Sequence, residues 1–308
     1  MKKIISLSLA GLLSLSIFMG CSPAKEEVNG KFKVVTTTTL AGDLVKQIGK
    51  DNVDIEFLMG PGVDPHLYKA SAGDVAKMEN ADMVVYGGLH LEGKMGDVFE
   101  NIEESEKLIL AVTKDIDNSK LLDFVTSPGS YDPHVWFDLE LWKIAALSVK
   151  DGLIKLDEEN TTNYEANYDA YIKELTEAEE YIRTRVEEVP QSQRIFITAH
   201  DAFQYFGRAY GFEVRGLQGI STDSEAGTQD VRKLADYIVD NQIKAIFVES
   251  SVPRKNIEAL QEAVQARGFE VEIGGELYSD STGNPGTEVE TFIGTVKENI
   301  DTIVDALK

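Results

Sequence analysis

The sequence of 308 residues carries 53 acidic and 30 basic side chains, which gives a formal net charge of −23. This excess of acid argues against nucleic acid or an anionic bilayer surface as a partner, because both are bound through basic patches. The apolar content is normal for a packed protein, and the length leaves room for two domains. A single cysteine, Cys21, excludes an intramolecular disulfide and a metal site made of several thiolates.

The first 20 residues are typical of a bacterial secretory signal. Two lysines precede an apolar run from Ile4 to Phe18, which is too short to cross a bilayer comfortably. The run leads to a Gly-Cys pair ending at Cys21, as in bacterial lipoprotein signals, where the thiol receives a diacylglyceryl group. We therefore expect a signal peptide over 1–20, lipidation at Cys21 and a flexible tether over 21–30. The mature protein would be lipid-anchored at the extracytoplasmic face of the cell membrane. The alternative is an ordinary secretory signal with an incidental cysteine.

From Lys31 onward, short apolar runs alternate with amphipathic stretches. The runs KFKVVTTTT, VDIEFLM, ADMVVYGG and KLILAVT predict buried strands, and RIFITA, FEVRGL, KAIFVES and EVEIGGE predict a second series after Gln193. Strands that alternate with helices indicate βαβ units and parallel sheets. We therefore expect an α/β protein with an N-terminal lobe over 31–156 and a C-terminal lobe over 191–308. A capping-box pattern at Ser71 predicts a helix start within the first lobe.

A long helix is predicted between the two series, over residues 157–190. Its apolar positions recur at steps of three and four and form one stripe; they are Tyr164, Tyr168, Tyr171, Leu175, Ala178, Ile182 and Val186. Neither glycine nor proline interrupts the segment before Pro190. A helix of roughly 30 residues would be about 45 Å long. We expect a rigid strut that runs along both lobes; a surface helix of one lobe is the alternative.

Three of the four histidines lie in short segments that are typical of metal-ligand loops. His66 and His134 each follow an Asp-Pro pair, in GVDPHLYKAS and YDPHVWFDLE, and His200 lies in ITAHDAFQYF. Proline fixes its own φ and drives the preceding residue toward extended backbone, so each Asp-Pro-His turn is stiff. A stiff turn suits a ligand that must occupy one place. Asp280, which follows the last predicted strand, is a fourth candidate ligand.

Three imidazoles and one carboxylate predict a site for a borderline divalent transition ion, whereas Ca²⁺ and Mg²⁺ prefer oxygen-rich sites. Two candidates come from each strand series, and open α/β sheets bind ligands outside the carboxyl ends of their strands. We therefore expect the site in the cleft between the lobes. For one histidine taken alone, the alternative is a hydrogen-bonded, half-buried ring. For Asp280 the alternative is a solvated loop acid.

Other residues are weaker candidates. His90 lies just beyond a predicted strand, and we expect it not to bind the ion. Glu249 ends a predicted strand and would either orient a ligand or accept main-chain hydrogen bonds. Trp136 and Trp142 fit core packing. The sequence contains no Gly-rich phosphate loop in a strand-turn-helix context, no Gly-x-Ser-x-Gly elbow and no His-Glu-x-x-His pattern, and we expect no organic cofactor. We also expect no enzymatic activity, because four protein ligands from two lobes leave little room for water and substrate and no residue is clearly placed as a general base.

Several segments, taken in their order and spacing, resemble one known family. They are DPHLYKAS, GLHLEGKM, DPHVWFD, TAHDAFQYF, GISTDSEAG, IFVESSVP and GGELYSD. In them the sequence resembles the metal-binding lipoproteins of bacterial ABC importers for manganese and zinc, the TroA-like cluster A-I solute-binding proteins. The resemblance implies two (βα)-type lobes joined by one long rigid helix, with a metal site in the interlobe cleft. It also implies ligands at His66, His134, His200 and Asp280.

The function implied by the resemblance is high-affinity capture of Mn²⁺ or Zn²⁺ and delivery to the permease and ATPase subunits of an ABC importer. We expect a monomer that catalyses nothing. Family members with glutamate at the third ligand position are typically manganese proteins, so His200 indicates the manganese-or-zinc branch. Zinc-uptake members often carry a histidine-rich loop in the first lobe, but the stretch from Thr113 to Ser130 contains no histidine. Two alternatives stay open: a surface adhesin with a structural metal, and a metallohydrolase with an open coordination position.

Overall fold

The computed structural model describes residues 30–104, 107–124, 127 and 129–308. The expected signal peptide and the lipidation site at Cys21 lie outside the described residues, as does the expected tether apart from Gly30. Within the described part of the chain, no helix is both long and apolar enough to span a membrane.

The first series of strands forms one parallel sheet. Its strands are β1 (Phe32–Thr36), β2 (Val53–Phe57), β3 (Met83–Tyr86) and β4 (Leu108–Ala111). Their order across the sheet is β2-β1-β3-β4, and all neighbours are parallel. The helices of this lobe are α1 (Thr39–Gly49), α2 (Ala72–Glu79), α3 (Gly96–Glu104) and α4 (Leu139–Leu156). The predicted capping box opens α2, since Ser71 and Asp74 exchange hydrogen bonds between side chain and main chain.

The second series repeats this arrangement. Its strands are β5 (Ile195–Thr198), β6 (Glu213–Gly216), β7 (Ala245–Glu249) and β8 (Glu272–Leu277), in the order β6-β5-β7-β8. All neighbours are again parallel. The helices of this lobe are α6 (Gln204–Tyr210), α7 (Thr228–Asp240), α8 (Lys255–Gln265) and α9 (Phe292–Leu307). In each sheet the connections leave in opposite directions from two central strands, which is where open α/β sheets place their ligand crevice.

The predicted strut is α5 (Thr161–Val186), which has 26 residues. It packs against α1 and α4 of the first lobe and against α9 of the second. Its buried residues are Tyr164, Tyr171, Leu175, Ala178, Ile182 and Val186, and the seventh predicted position, Tyr168, is partly buried. The helix ends before Pro190, where the missing N–H and the ring of proline oppose further helix. The expected fold of two parallel-sheet lobes joined by one long helix is confirmed.

One apolar core continues beneath both lobes. Trp142 of α4 and Phe292 of α9 are buried, and the centroids of their rings lie 5.0 Å apart. The same cluster of buried side chains includes Leu44 of α1 and Leu175 of α5. Contacts of this kind exclude water from the junction, so the lobes are parts of one packed body.

A buried carboxylate also links the lobes. The Asp43 side chain of α1 is only 4% exposed. Its Oδ2 accepts the main-chain N–H of Phe292, the first residue of α9, at 3.2 Å, and its Oδ1 accepts from Gln47 at 3.1 Å. Nearby, the N–H of Thr282 donates to Thr39 Oγ1 at 2.8 Å. These bonds define how the last helix of the chain meets the first.

Candidate metal centre

The four candidate ligands follow strand ends of the two sheets. His66 lies in the loop between β2 and α2, and His134 lies between β4 and α4. His200 comes shortly after β5, and Asp280 shortly after β8. The structure brings all four together at the cleft, with one possible donor atom from each within 4.8 Å of the others. We call this group the His3Asp cage.

Four of the six donor–donor distances in the cage are close to those of a tetrahedral metal site. The Nε2 atom of His134 lies 3.3 Å from the Nε2 atoms of both His66 and His200. The Oδ1 atom of Asp280 lies 3.5 Å from the Nε2 atoms of His134 and His200. A tetrahedron with metal–ligand bonds of about 2.0–2.1 Å has edges of about 3.3–3.4 Å. These four distances therefore match a four-coordinate site, and all donor atoms of the cage lie within 4.8 Å of one another.

The carboxylate of Asp280 adds a second reason to expect a cation. Its Oδ2 accepts the hydroxyl of Ser251 at 2.8 Å. Its Oδ1, by contrast, is buried and has no hydrogen-bond partner among the described residues. A buried oxygen that carries negative charge and lacks a donor is costly. A cation held by this atom and the three imidazoles would remove that cost.

The Asp-Pro-His turn at His134 orients its own imidazole. Asp132 Oδ1 accepts the main-chain N–H of His134 at 3.0 Å and contacts its ring Nδ1 at 2.7 Å. An ionised carboxylate only accepts hydrogen bonds, so Nδ1 must carry the proton. The lone pair is then on Nε2, the atom that points into the cage. Asp132 and His134 are both 0% exposed, so water does not compete for this bond.

His200 is oriented in the same way from a different element. Glu249, the last residue of β7, accepts the main-chain N–H of His200 at 2.7 Å with Oε1. Its Oε2 contacts the ring Nδ1 at 2.6 Å. Glu249 therefore has both roles that were weighed for it from the sequence. Carboxylates that bind the second nitrogen of a metal-bound histidine fix its tautomer and increase its basicity.

Electrostatic effects differ among the members of the cage. Burial lowers the pKa of His66 to about 3, so this imidazole is neutral. Burial opposes the charged form of His134 too, but Asp132 and Asp280 outweigh it and raise that pKa to about 8. Burial would raise the pKa of Asp280, yet His200 and His134 hold it well below its usual range. A metal ion that enters the cage must therefore displace protons.

The remaining sequence candidates lie outside the cage. His90 is exposed and has a left-handed backbone, with φ of 63°. Trp142 is buried in the core, as expected. Trp136 is buried as well, but its ring centroid lies 5.2 Å from that of His134, and its Nε1 donates across the cleft to the carbonyl of Ser279 at 2.9 Å. Trp136 is thus part of the wall of the site.

Two supporting residues were missed by the sequence analysis. The repeated Asp-Pro-His tripeptide was interpreted through its proline, although Asp132 makes the hydrogen bonds that orient His134. The aspartate two positions before each histidine was the signal, because Asp side chains often bond a main-chain N–H two residues on. Ser251, which holds Asp280, had no such local signal, since its partner lies 29 residues away.

Known proteins are similar to this chain over most of its length. A family model described as zinc-uptake complex component A, periplasmic (ZnuA), matches residues 34–306. The zinc-binding protein TroA of Treponema pallidum (strain Nichols) is 50% identical over 279 residues, covering 91% of this chain and 90% of that protein. The manganese-binding lipoprotein MntA of Bacillus subtilis (strain 168) is 43% identical over 289 residues, covering 94% of each.

A solved structure has a similar fold. The periplasmic zinc-binding protein TroA from Treponema pallidum aligns with a TM-score of 0.88 at 50% sequence identity. The alignment covers 90% of this chain and 99% of that chain. The likeness therefore extends over both lobes and the helix between them.

Proposed function

The chain belongs to the zinc-uptake complex component A family, and from that premise we propose that it captures Mn²⁺ or Zn²⁺ and delivers the ion to an ABC importer. Its homologues are zinc- and manganese-binding substrate-binding proteins of such transporters. The family consists of transport receptors and not of enzymes. The ion is the transported solute, so a permease and an ATPase are the partners.

The observation that carries the proposal is the His3Asp cage. His66, His134, His200 and Asp280 are its proposed ligands. Three imidazole nitrogens, free of protons once the ion has displaced them, and one carboxylate oxygen suit a borderline transition ion. The spacing of the donor atoms, the burial of all four residues and the unpaired Oδ1 of Asp280 support this assignment.

We further propose how the chain is organised around the cage. Residues 31–156 form the N-terminal lobe, 157–190 the linking helix and 191–308 the C-terminal lobe. The chain acts as a monomer, because each molecule supplies a complete set of ligands from its two lobes. A lipid anchor at Cys21 would keep the receptor at the extracytoplasmic face of the membrane, close to its permease.

The geometry favours a receptor over a hydrolase. Catalytic zinc sites keep one position open for water or substrate, whereas structural and storage sites are closed by four protein ligands. In the cage the fourth position is taken by Asp280, and its members are at most 3% exposed. No finding on the described residues favours the adhesin alternative.

Metal titration of the purified protein, after removal of bound metal, tests the proposal. We expect one equivalent of Zn²⁺ or Mn²⁺ per chain. His66→Ala, His134→Ala and Asp280→Ala should each lower the affinity by about 100-fold or more, because each removes a ligand. His90→Ala is the matched control, since this exposed histidine lies outside the cage. Binding that survives the cage variants, or that is lost with His90, would refute the assignment.

A further inference from the structure

The three histidines of the cage are not supported in the same way. His134 and His200 each have a carboxylate from their own lobe on ring Nδ1. His66 follows an Asp-Pro pair as His134 does, and Asp64 accepts its main-chain N–H at 2.9 Å. Among the described residues, however, Asp64 does not hydrogen-bond the imidazole of His66. The second oxygen of this carboxylate has another partner.

That partner lies in the other lobe. Asp64 Oδ2 accepts the hydroxyl of Thr222 at 2.6 Å, between residues 158 positions apart in the sequence. Thr222 belongs to the loop between β6 and α7, and it is 6% exposed. The bond is partly buried, and a short hydrogen bond from a hydroxyl to a carboxylate is among the stronger contacts between a neutral and a charged group. This hydrogen bond thus connects the turn that carries His66 to the opposite lobe.

Two neighbouring contacts support the same junction. Asp223, next to Thr222, forms an ion pair with Lys94 of the first lobe at 2.8 Å. On the other side of the His66 loop, the N–H of Gly62 donates to Ser281 Oγ at 2.9 Å. Both contacts join the lobes at the rim of the cage. The Lys94–Asp223 pair is exposed and contributes little by itself, so the shorter, partly buried hydrogen bond from Thr222 to Asp64 is the main contact that holds the His66 turn to the other lobe.

From this asymmetry we infer that Asp64 and Thr222 are positioning residues that hold His66 in place only when the lobes are closed, an inference that rests on the proposed capture of metal. His134 and His200 keep their orientation in either state, because their carboxylates move with them. His66 does not, because one end of its support belongs to the opposite lobe. Separation of the lobes breaks the Asp64–Thr222 bond and frees the turn. His66 is therefore the last ligand to engage and the first to leave.

The rate of metal release tests this inference. Zn²⁺ dissociation from the full-length protein is followed by stopped flow with an excess of a coloured chelator. We expect Thr222→Val, which removes the hydroxyl at nearly constant volume, to accelerate release by roughly tenfold. Thr222→Ser keeps the hydroxyl and should release Zn²⁺ at close to the rate of the unaltered protein. Thr176→Val, on an exposed part of α5, is the matched control and should also behave as the unaltered protein.

A double-mutant cycle with His66→Ala separates positioning from a general structural effect. If Thr222 acts through His66, Thr222→Val should not accelerate release further in the His66→Ala background. An equal acceleration in both backgrounds would overturn the inference, as would unchanged release in Thr222→Val alone. Release from Thr222→Ser as fast as release from Thr222→Val would also count against it. These outcomes leave the proposed function intact, whereas failure of the unaltered protein to bind Zn²⁺ or Mn²⁺ would overturn both.

Discussion

Asp132 and Glu249 occupy matching places behind two different histidines, and each carboxylate contacts both the main-chain N–H and the ring Nδ1 of its partner. Asp132 belongs to the same turn as His134, whereas Glu249 reaches His200 from the end of β7. In both cases Nδ1 is protonated and Nε2 is left for the ion. The two lobes thus present equivalent imidazoles through different local structures.

Removing either carboxylate should weaken metal binding although all four proposed ligands remain. We expect Asp132→Ala and Glu249→Ala each to lower the Zn²⁺ affinity by about 10–100-fold, because the ring loses its fixed tautomer and orientation. Competition titration against a fluorescent chelator measures the change. Asp54→Ala, at an exposed acid on β2, is the control and should leave the affinity unchanged. Full affinity in both carboxylate variants would contradict the assigned roles.

The choice between zinc and manganese should respond to His200. Three imidazoles and one carboxylate should bind Zn²⁺ more tightly than Mn²⁺ at equilibrium, as the Irving–Williams order requires. A glutamate at this position would offer Mn²⁺ a harder oxygen, but it would also face the carboxylate of Glu249. We therefore expect His200→Glu combined with Glu249→Gln to narrow the Zn²⁺/Mn²⁺ affinity ratio by about tenfold, roughly 1.4 kcal/mol. Competition titrations of both ions decide this, and an unchanged ratio would contradict it.

Asp43 should make the stability of the protein depend on pH. Burial is the main cause that raises its pKa from 3.8 to about 6, against the opposing effects of Gln47, the Phe292 N–H and nearby lysines. The folded state then binds the proton more tightly than the unfolded state. This contribution to stability is complete below about pH 4 and is lost as the pH rises through about 6.

Asp43→Asn removes that dependence, because the amide does not ionise. The free energy of unfolding of the variant, relative to the unaltered protein, should rise by about 2–3 kcal/mol between pH 4 and pH 7. Denaturant unfolding in the presence of a metal chelator measures it without interference from the cage. Asp54→Asn is a matched exposed control. A difference that stays constant with pH would show that Asp43 is not the responsible group.

The α5 strut should limit the opening of the cleft. Because α5 packs against helices of both lobes, wide opening would expose its buried stripe to water. We expect the radius of gyration of the metal-free and metal-loaded protein, about 19 Å for a compact chain of this size, to agree within about 1 Å. Small-angle X-ray scattering makes the comparison. A larger contraction on metal binding would indicate a true hinge.

Lipidation at Cys21 is a prediction from the Gly-Cys pair that ends the apolar run. Mass spectrometry of protein extracted from its membrane should find a mature chain that begins at a diacylglyceryl-modified Cys21. Cys21→Ala should leave the protein unprocessed or released, with unchanged Zn²⁺ affinity, because the anchor contributes no ligand to the cage. An unmodified N-terminus downstream of Cys21 would contradict the prediction.

The parts of the fold and site that were predicted from the sequence depend on local patterns. Short apolar runs identified the eight strands of the described residues, and apolar periodicity identified the stripe of α5, since each is encoded within a short window. His66 and His134 were recognisable because proline stiffens the turn that carries them. Asp280 was recognisable because it follows a predicted strand.

Contacts between the lobes could not be predicted from local sequence patterns. The bonds from Thr222 to Asp64 and from Trp136 to Ser279 join residues 158 and 143 positions apart, respectively. Such pairs depend on how two packed bodies meet, which no short window encodes. The burial of Asp43 was missed for the same reason, because an acid within an amphipathic helix is normally assigned to the solvated face.

The distance along the chain between His66 and Asp280 has a consequence for the order of folding. Asp280 precedes α9 in the chain, and α9 also supplies part of the core that both lobes share. A chain that still lacks Asp280 and the residues after it offers three imidazoles, lacks the carboxylate ligand and lacks α9, against which α5 packs. We therefore expect the complete set of four ligands to come together only late in folding, once both lobes have formed.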